Sequence, residues 1–350
     1  MKGARTLMRS RFVMRAATVA ALALFCASSR PIAAQSRLRV KLATAAPRDT
    51  SYHRILMEMG EAWRKATGGQ VDLVIYPGGN QGSEADTVRR MNIGELQAAM
   101  LTASGLSEVD PAVAALESIP MLFRSLDEAQ YVRDKLRPDL EKRLAVKGYV
   151  SLFWGDTGWA RFFSRKAAVS PADFKPMKIF VTASGSEKQL QIMQALGYRP
   201  VPLDFADALL QLQTGGVDAV PTIPIVALAG QYYTAAKHMT EVNWTPVVGA
   251  TIVTAKAWDA VPAASREALL AAATEAGRKI QQQSRRENEQ AVTTVKTKWG
   301  VEVHAVSPQL DQEWRTFAEG IYPRIRGGMV PADIFDRTKQ LVDEYRASHK

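Results

Sequence analysis

The sequence is poor in cysteine and histidine. Its single cysteine, Cys26, lies in an apolar run near the N-terminus, and its four histidines are scattered along the chain. Without the segment that carries Cys26, the chain has no disulfide, thiolate nucleophile or cysteine metal ligand. The scattered histidines predict no metal or catalytic cluster. We therefore expect no metal site and no cofactor, and a fold stabilised by its core alone.

Signature motifs of common enzyme classes are also missing. The sequence contains no HExxH, GxSxG or GxxxxGK[ST], and PGGNQG at 77–82 lacks the lysine of a phosphate-binding loop. Asp218, in GGVDAV, could act as a general base, but such an aspartate more often accepts hydrogen bonds from nearby backbone. No catalytic residue is predicted. A hydrolase or lyase is kept only as an alternative.

The N-terminal apolar run is too short to cross a bilayer. AATVAALALFCA at 16–27 has 12 residues, whereas a spanning helix needs about 20. Residues 1–34 contain six basic residues and no acidic one, and small residues follow the run. This pattern predicts a cleavable signal peptide over 1–34 and a periplasmic location. A retained anchor is one alternative; a lipid on Cys26 is another, which the preceding Phe25 disfavours.

The net charge of +10 suggests an anionic partner, but its distribution argues against nucleic acid. Loss of residues 1–34 lowers the formal net charge to +4. In the remainder, basic and acidic residues alternate, as in RRENEQ at 285–290, which is typical of a solvated surface. With 47% hydrophobic and 23% charged residues, the chain is globular, and its length suggests about two domains.

Strands separated by helices predict an α/β fold with largely parallel sheets. A first unit has strand patterns at 38–42, 71–76 and 97–102, and a second has them at 148–154, 177–182 and 217–220. The segment 249–255 is a strand that could return to the first sheet. Between Pro262 and Trp299 the composition predicts one helix of roughly 55 Å, long enough to bridge two lobes. A coiled coil is the alternative, although apolar heptads are not sustained.

Aromatic residues are concentrated between 154 and 244, in a stretch that also contains Arg161. Arg161 stands in GWARFF between apolar residues, and a guanidinium in such surroundings needs an anionic or carbonyl partner. Two interpretations stay open, a structural Asp or Glu and the carboxylate of a ligand. About half of the aromatic residues are expected to belong to the core.

Several motifs in order resemble the solute receptors of tripartite ATP-independent periplasmic (TRAP) transporters. The resemblance covers about 36–345 and is carried by PGGNQGSEAD, VRRMNIGELQAAMLT, ESIPMLFRS, GDTGWARFFS, SPADFKPMKIFV, ALGYRPVPLDFADALLQLQTGGVDAV and AKAWDAVP. It implies a receptor that closes around a solute and delivers it to a carrier with a large and a small membrane subunit. A receptor for an ATP-driven importer is the alternative.

The resemblance also implies an architecture. We expect an α/β, two-lobe periplasmic binding protein fold with a cleft between the lobes and a long C-terminal helix that bridges them. The N-terminal lobe would comprise 36–157 and 248–286. The C-terminal lobe would comprise 158–247 and 287–350.

Two departures from the family pattern concern the ligand. In the family, an arginine in the segment that reads here as MKIFV pairs with the solute's carboxylate; this chain has Phe180 there. The family's asparagine after the VDG-like motif corresponds to Thr222. Replacing a cation by an aromatic ring removes a charge clamp and offers apolar area instead. The resemblance therefore implies a divergent branch whose solute, an organic acid or another small organic molecule, is more apolar than a C4-dicarboxylate.

The predicted ligand-binding residues fall into two groups. Phe180, Trp159 and Trp244 would hold the apolar part of the solute, with Thr222 beside them and Arg161 as a polar anchor. Strand ends provide the rest, because open α/β sheets bind ligands at the carboxyl ends of their strands. These are Thr44, Thr102 and Ser104, although Ser and Thr at such positions also cap helices.

Overall fold

The computed structural model describes residues 37–183 and 187–349, which form two β-sheets. The predicted signal peptide over 1–34 lies outside the described residues. From Leu38 onward the chain forms one compact unit. No helix among the described residues combines the length and hydrophobicity needed to cross a membrane.

The first sheet has five strands in the order β2-β1-β3-β10-β4. They are β1 (Leu38–Thr44), β2 (Val71–Tyr76), β3 (Ala98–Thr102), β4 (Tyr149–Trp159) and β10 (Pro246–Thr254). β1 pairs in parallel with β2 and β3, and β10 lies antiparallel between β3 and β4. The prediction that a late strand returns to the first sheet is thus confirmed. The strand at 148–154, which the sequence assigned to the second unit, belongs to the first sheet as β4, because it pairs with β10; that assignment was wrong.

Helices with sequence-encoded starts connect these strands. They are α1 (Ser51–Ala66), α2 (Glu84–Asn92), α3 (Ala103–Leu106) and α4 (Leu126–Val146), with a 3-10 helix (Pro111–Leu116) before α4. The Ser83 hydroxyl accepts a hydrogen bond from the Asp86 N–H, and the Ser83 N–H donates to the Asp86 carboxylate. This capping box satisfies backbone donors that the first helical turn leaves unpaired.

The second sheet has six strands in the order β11-β9-β5-β8-β6-β7. They are β5 (Arg161–Ser164), β6 (Lys178–Thr182), β7 (Arg199–Leu203), β8 (Ala219–Thr222), β9 (His238–Thr240) and β11 (Glu302–His304). Its helices are α5 (Glu187–Ala195), α6 (Ala208–Thr214) and α7 (Pro224–Ala229), together with a 3-10 helix (Pro171–Phe174). Asp218 accepts a hydrogen bond from the Lys178 N–H at 2.9 Å, so it has the structural role that the sequence favoured.

Two of the crossings between the sheets run directly from one strand to the next. β4 passes directly into β5 through Ala160, and the return runs from β9 to β10. The two crossings are hydrogen-bonded to each other, because the Ala160 N–H donates to the Thr245 carbonyl at 2.9 Å. The short helix α8 (Ala255–Asp259) follows β10.

The predicted long helix is α9 (Ala263–Trp299). It contacts α1 and β4 beside the first sheet, and α7 and β11 beside the second. The fully buried Trp63 of α1 donates its indole N–H to the Leu269 carbonyl at 3.0 Å. The helix therefore bridges both parts of the fold, as the sequence predicted.

Two further helices complete the chain, α10 (Pro308–Ile325) and α11 (Ala332–Ser348). α10 contacts the 3-10 helix of the second sheet, whereas α11 packs against α4. Arg346 of α11 binds the buried carboxylate of Glu128 in α4 at 2.6 Å. The lobe boundaries stay a prediction, and the contacts of α11 favour placing it with the N-terminal lobe.

Candidate functional site

A cavity of about 360 Å³ lies between the two sheets. Strands of both sheets end at it, and four threonines at those ends line it: Thr44, Thr102, Thr182 and Thr222. The carboxyl ends of strands are where open α/β sheets bind ligands. The volume is in the range of small-molecule sites.

Six of the eight predicted ligand-binding residues line this cavity. They are Thr44, Thr102, Ser104, Phe180, Thr222 and Trp244. Arg161 and Trp159 are not among the lining residues. Trp159 instead packs against the hydrophobic core beside the first sheet, and Arg161 is held by a neighbouring acid. Neither lies in the described cavity wall, and the role of each in binding stays a prediction.

Phe180 provides an apolar wall. It lies in β6, is 1% exposed, and its ring centroid is 5.1 Å from that of Phe205. Both rings line the cavity. An aromatic pair at this distance stabilises the fold. The half-buried Phe205 offers ring surface to a ligand, whereas Phe180 has almost no exposed surface. Phe180, which stands where the family resemblance places an arginine, thus belongs to the cavity wall.

Trp244 belongs to a second aromatic cluster on the cavity wall. Its ring centroid is 5.9 Å from that of Phe162 and 5.5 Å from that of Trp314, both in edge-on arrangements. Phe162 and Trp314 also line the cavity. Trp314 and Phe317 come from α10, which sequence reasoning did not connect with the site. Trp154 and Phe163 lie in the core, in line with the expected division of the aromatic residues.

Two of the strand-end hydroxyls are already hydrogen-bonded. Thr44 Oγ1 accepts from the Ala46 N–H at 3.1 Å. Thr102 Oγ1 accepts from the Gly105 N–H at 3.3 Å, which caps α3, and donates to Glu84 Oε2 at 2.6 Å. The Thr102 hydroxyl therefore has little bonding capacity left for a solute, whereas the Thr44 hydroxyl only accepts and keeps its O–H donor.

Arg161 has a structural acidic partner. Its Nη1 lies 3.3 Å from Glu241 Oε1, and its side chain is 16% exposed. The same Nη1 is buried and donates no hydrogen bond among the described residues. Burial lowers the pKa of Arg161, while the negative charge of Glu241 acts in the opposite direction. Glu241 thus offsets part of the charge, as in the first interpretation of GWARFF, and the unpaired Nη1 leaves a hydrogen-bond donor unsatisfied.

Two glutamates in the cavity wall were missed by sequence reasoning. Glu84 accepts hydrogen bonds from the N–H and hydroxyl of Thr102 at 2.7 and 2.6 Å. Glu117 follows the 3-10 helix Pro111–Leu116, and its buried Oε2 has no hydrogen-bond partner among the described residues. The signal that could have revealed Glu117 is one acidic residue between apolar neighbours in AALESIPML.

The environment raises the pKa of both glutamates. Burial is the main cause for each. It raises the pKa of Glu117 to about 8, with the negative charge of Glu84 as the second cause. No lysine, arginine or histidine is among the described residues that line the cavity. Among the described residues, the cavity wall is therefore largely apolar, and its only carboxyl groups are those of Glu84 and Glu117.

Two of the supposedly scattered histidines meet at the edge of the second sheet. His238 Nδ1 lies 3.0 Å from His304 Nε2, and Glu302 Oε2 lies 3.4 Å from His238 Nδ1. The parallel pairing of β9 and β11 brings them together. One ligand atom from each of these three residues lies within 4.8 Å of the others, an arrangement that could hold a metal ion. These two histidines are therefore not scattered in the fold, while the absence of a metal site stays a prediction.

Comparisons with known proteins show the family and the fold of this chain. The family model described as bacterial extracellular solute-binding protein, family 7 (DctP), matches residues 42–326. The 2,3-diketo-L-gulonate-binding periplasmic protein YiaO of Escherichia coli is 25% identical over 323 residues, covering 91% of this chain and 94% of its own. The C4-dicarboxylate-binding periplasmic protein DctP of Rhodobacter capsulatus is 26% identical, covering 85% and 89%.

Solved structures of TRAP periplasmic solute-binding proteins share the fold. One from Shewanella oneidensis, with bound succinate, has a TM-score of 0.81 at 17% identity and covers 87% of this chain and 99% of its own. One from Xanthobacter autotrophicus, with bound β-D-galacturonate, has a TM-score of 0.79 at 20% identity and the same coverage. These matches confirm the α/β architecture with two lobes.

Proposed function

The chain belongs to family 7 of the bacterial extracellular solute-binding proteins. We propose that it binds one particular, largely apolar solute and delivers it to a TRAP carrier. Its family consists of solute receptors and not of enzymes. In this proposal, residues 1–34 direct export and are removed. The receptor then collects the solute in the periplasm and delivers it to the large and small membrane subunits, without binding nucleic acid.

The observation that carries the proposal is the chemistry of the cavity wall. Phe205 and Trp244 present aromatic surface beside the buried Phe180, and no basic side chain is among the described lining residues. A C4-dicarboxylate brings two negative charges, and a buried charge without a partner is costly. The proposed solute is therefore a small organic molecule that is more apolar than a C4-dicarboxylate. Thr222 and Ser104 also line the cavity and would contact its polar groups.

Relatives provide the contrast. Succinate and β-D-galacturonate are bound in two of the solved structures, and the curated relatives are named for 2,3-diketo-L-gulonate and C4-dicarboxylates. All of these solutes are polar organic acids. Phe180 stands where the family resemblance places a carboxylate-binding arginine, which supports a different solute for this chain.

Thermal unfolding tests the proposal. A ligand that binds only the folded state stabilises it by about 2.7 kcal/mol at a hundredfold excess over Kd. We expect no shift in Tm with millimolar succinate or sialic acid, and a clear shift with uncharged or singly charged aromatic compounds of similar size. A micromolar response to succinate would disprove the proposal. Native mass spectrometry of the purified protein would identify a retained solute directly.

A further inference from the structure

We propose that Glu84 and Glu117 form the polar end of the cavity and bind a positively charged amino group of the solute. The inference rests on the proposed receptor function and adds the charge and chemical class of what is bound. The solute would be an organic amine whose apolar body lies against the aromatic wall.

Glu84 is held in a fixed position. Each of its carboxylate oxygens accepts one hydrogen bond from Thr102, at 2.7 Å from the N–H and 2.6 Å from the hydroxyl. Gly105 makes room for this carboxylate, because a Cβ at position 105 would lie 2.7 Å from it. Since a carboxylate oxygen has two lone pairs, Glu84 keeps acceptor capacity for a ligand.

Glu117 is incompletely satisfied. Its Oε2 is shut off from solvent and has no hydrogen-bond partner among the described residues, although the residue lines the cavity. A buried polar atom without a partner costs about 1–3 kcal/mol, so most such atoms in folded proteins are paired. A donor brought in by the solute would satisfy this oxygen.

The charges around the pair select the sign of the ligand. Besides the two glutamates, the titratable side chains among the described lining residues are Tyr52 and Tyr198. An anionic group would enter beside the charge of Glu84 with no cation to oppose it. An ammonium group is attracted by Glu84 and also favours the ionised form of Glu117. An ammonium also has three N–H donors, enough to bond Glu84 and Glu117 together.

The protonation of Glu117 makes binding depend on pH. Burial and the charge of Glu84, from α2, raise the pKa of Glu117 to about 8. The backbone N–H groups of Ala103 in α3 and Val248 in β10 act in the opposite direction, because they stabilise the ionised carboxylate. Glu117 is thus mostly protonated at pH 7 in the empty cavity. An ammonium ion favours the deprotonated form, so its binding releases a proton and strengthens as the pH rises towards 8.

Calorimetric titration with three compounds of one shape tests the proposal. The probes are 3-phenylpropylamine, 3-phenylpropanol and 3-phenylpropionate, which differ in one terminal group. We expect the amine to bind at least tenfold more tightly than the alcohol, and the propionate most weakly. Between pH 6 and 8 the affinity for the amine should rise about fiftyfold, since an alkylammonium keeps its charge over this range. Titrations in buffers of different ionisation enthalpy should show proton release at pH 7.

Matched variants assign the effect to the pair. Glu117→Gln keeps the shape but cannot ionise, so the pH dependence of amine binding and the proton release should disappear, while the affinity for the alcohol stays within about threefold. Glu84→Gln should also weaken the amine selectively. Glu267→Gln is the control, because Glu267 is exposed on α9 and does not line the cavity; it should change nothing.

The possible outcomes distinguish failure of the amine assignment from failure of the proposed receptor function. Binding of all three compounds with no preference for the amine would overturn the amine assignment and leave the apolar receptor intact. Proton release on addition of Ca²⁺ alone would overturn it in favour of an inorganic cation. Failure of all three compounds to bind would count against the proposed apolar cavity as well, as would tight binding of succinate.

Discussion

Arg285 in α9 binds both carboxylate oxygens of Asp156 in β4. The Nε–Oδ1 and Nη2–Oδ2 distances are both 3.0 Å, the two-point geometry in which arginine binds carboxylates most strongly. Asp156 is fully buried, and Arg133 of α4 lies 3.3 Å from the same Oδ2. One carboxylate therefore joins β4, α4 and the long helix three residues before β4 ends.

Removing the charge of Asp156 should destabilise the protein strongly. Asp156→Asn leaves the two guanidinium groups without their shared buried anion, and breaking a buried ion pair typically costs about 3–5 kcal/mol. Urea unfolding followed by circular dichroism measures this loss. The control is Asp336→Asn, which removes the exposed partner of Arg326. Solvent screens that pair, so equal losses in the two variants would show that the Asp156 cluster adds no specific stability.

Two glycines inside helices should respond in opposite ways to alanine. A Cβ at Gly277 in α9 would lie 2.7 Å from the ring of Phe153, whereas a Cβ at Gly320 in α10 meets no atom within 4 Å. Gly277→Ala should therefore cost about 1–3 kcal/mol through overpacking. Gly320→Ala should stabilise by up to about 1 kcal/mol, because alanine favours helix. Chemical denaturation of both variants checks this, and stabilisation by Gly277→Ala would contradict the contact between α9 and β4.

Stability should fall as the pH rises from 5 to 8. The pKa of Glu117 is about 8 in the folded protein and 4.5 as the ordinary value, so the folded state holds an extra proton between these values. Stability is then lost with rising pH, by at most about 1.4 kcal/mol per unit, and levels off above pH 8. Melting curves of wild type and Glu117→Gln test this. The variant should show the weaker pH dependence, and parallel curves would contradict the raised pKa.

Local patterns in the sequence predict much of this fold, but long-range partners decide the site. Three elements were predicted from patterns within their own segments, and each is present in the fold. They are the strand at 38–42, the strand at 249–255 and the long helix at 262–299. Phe180 and Thr222 were located by their motifs. Glu84 and Glu117 were not, because their role depends on burial and on a neighbour 33 positions away, which no local pattern encodes.

The same limit explains the prediction for Arg161. Its flanking residues indicate a buried guanidinium that needs an anion, but they do not say which one. The structure places Glu241 at 3.3 Å, so Arg161→Met should lower the free energy of unfolding while leaving the Kd for 3-phenylpropylamine within about twofold. A double-mutant cycle with Glu241→Gln should give a coupling energy of about 1 kcal/mol or less. Phe180→Leu, a change in the cavity wall, is the matched comparison and should weaken binding severalfold. A tenfold loss of affinity in Arg161→Met would instead show that Arg161 binds the solute. An arginine whose only role is to pair with Glu241 would not change the affinity so strongly.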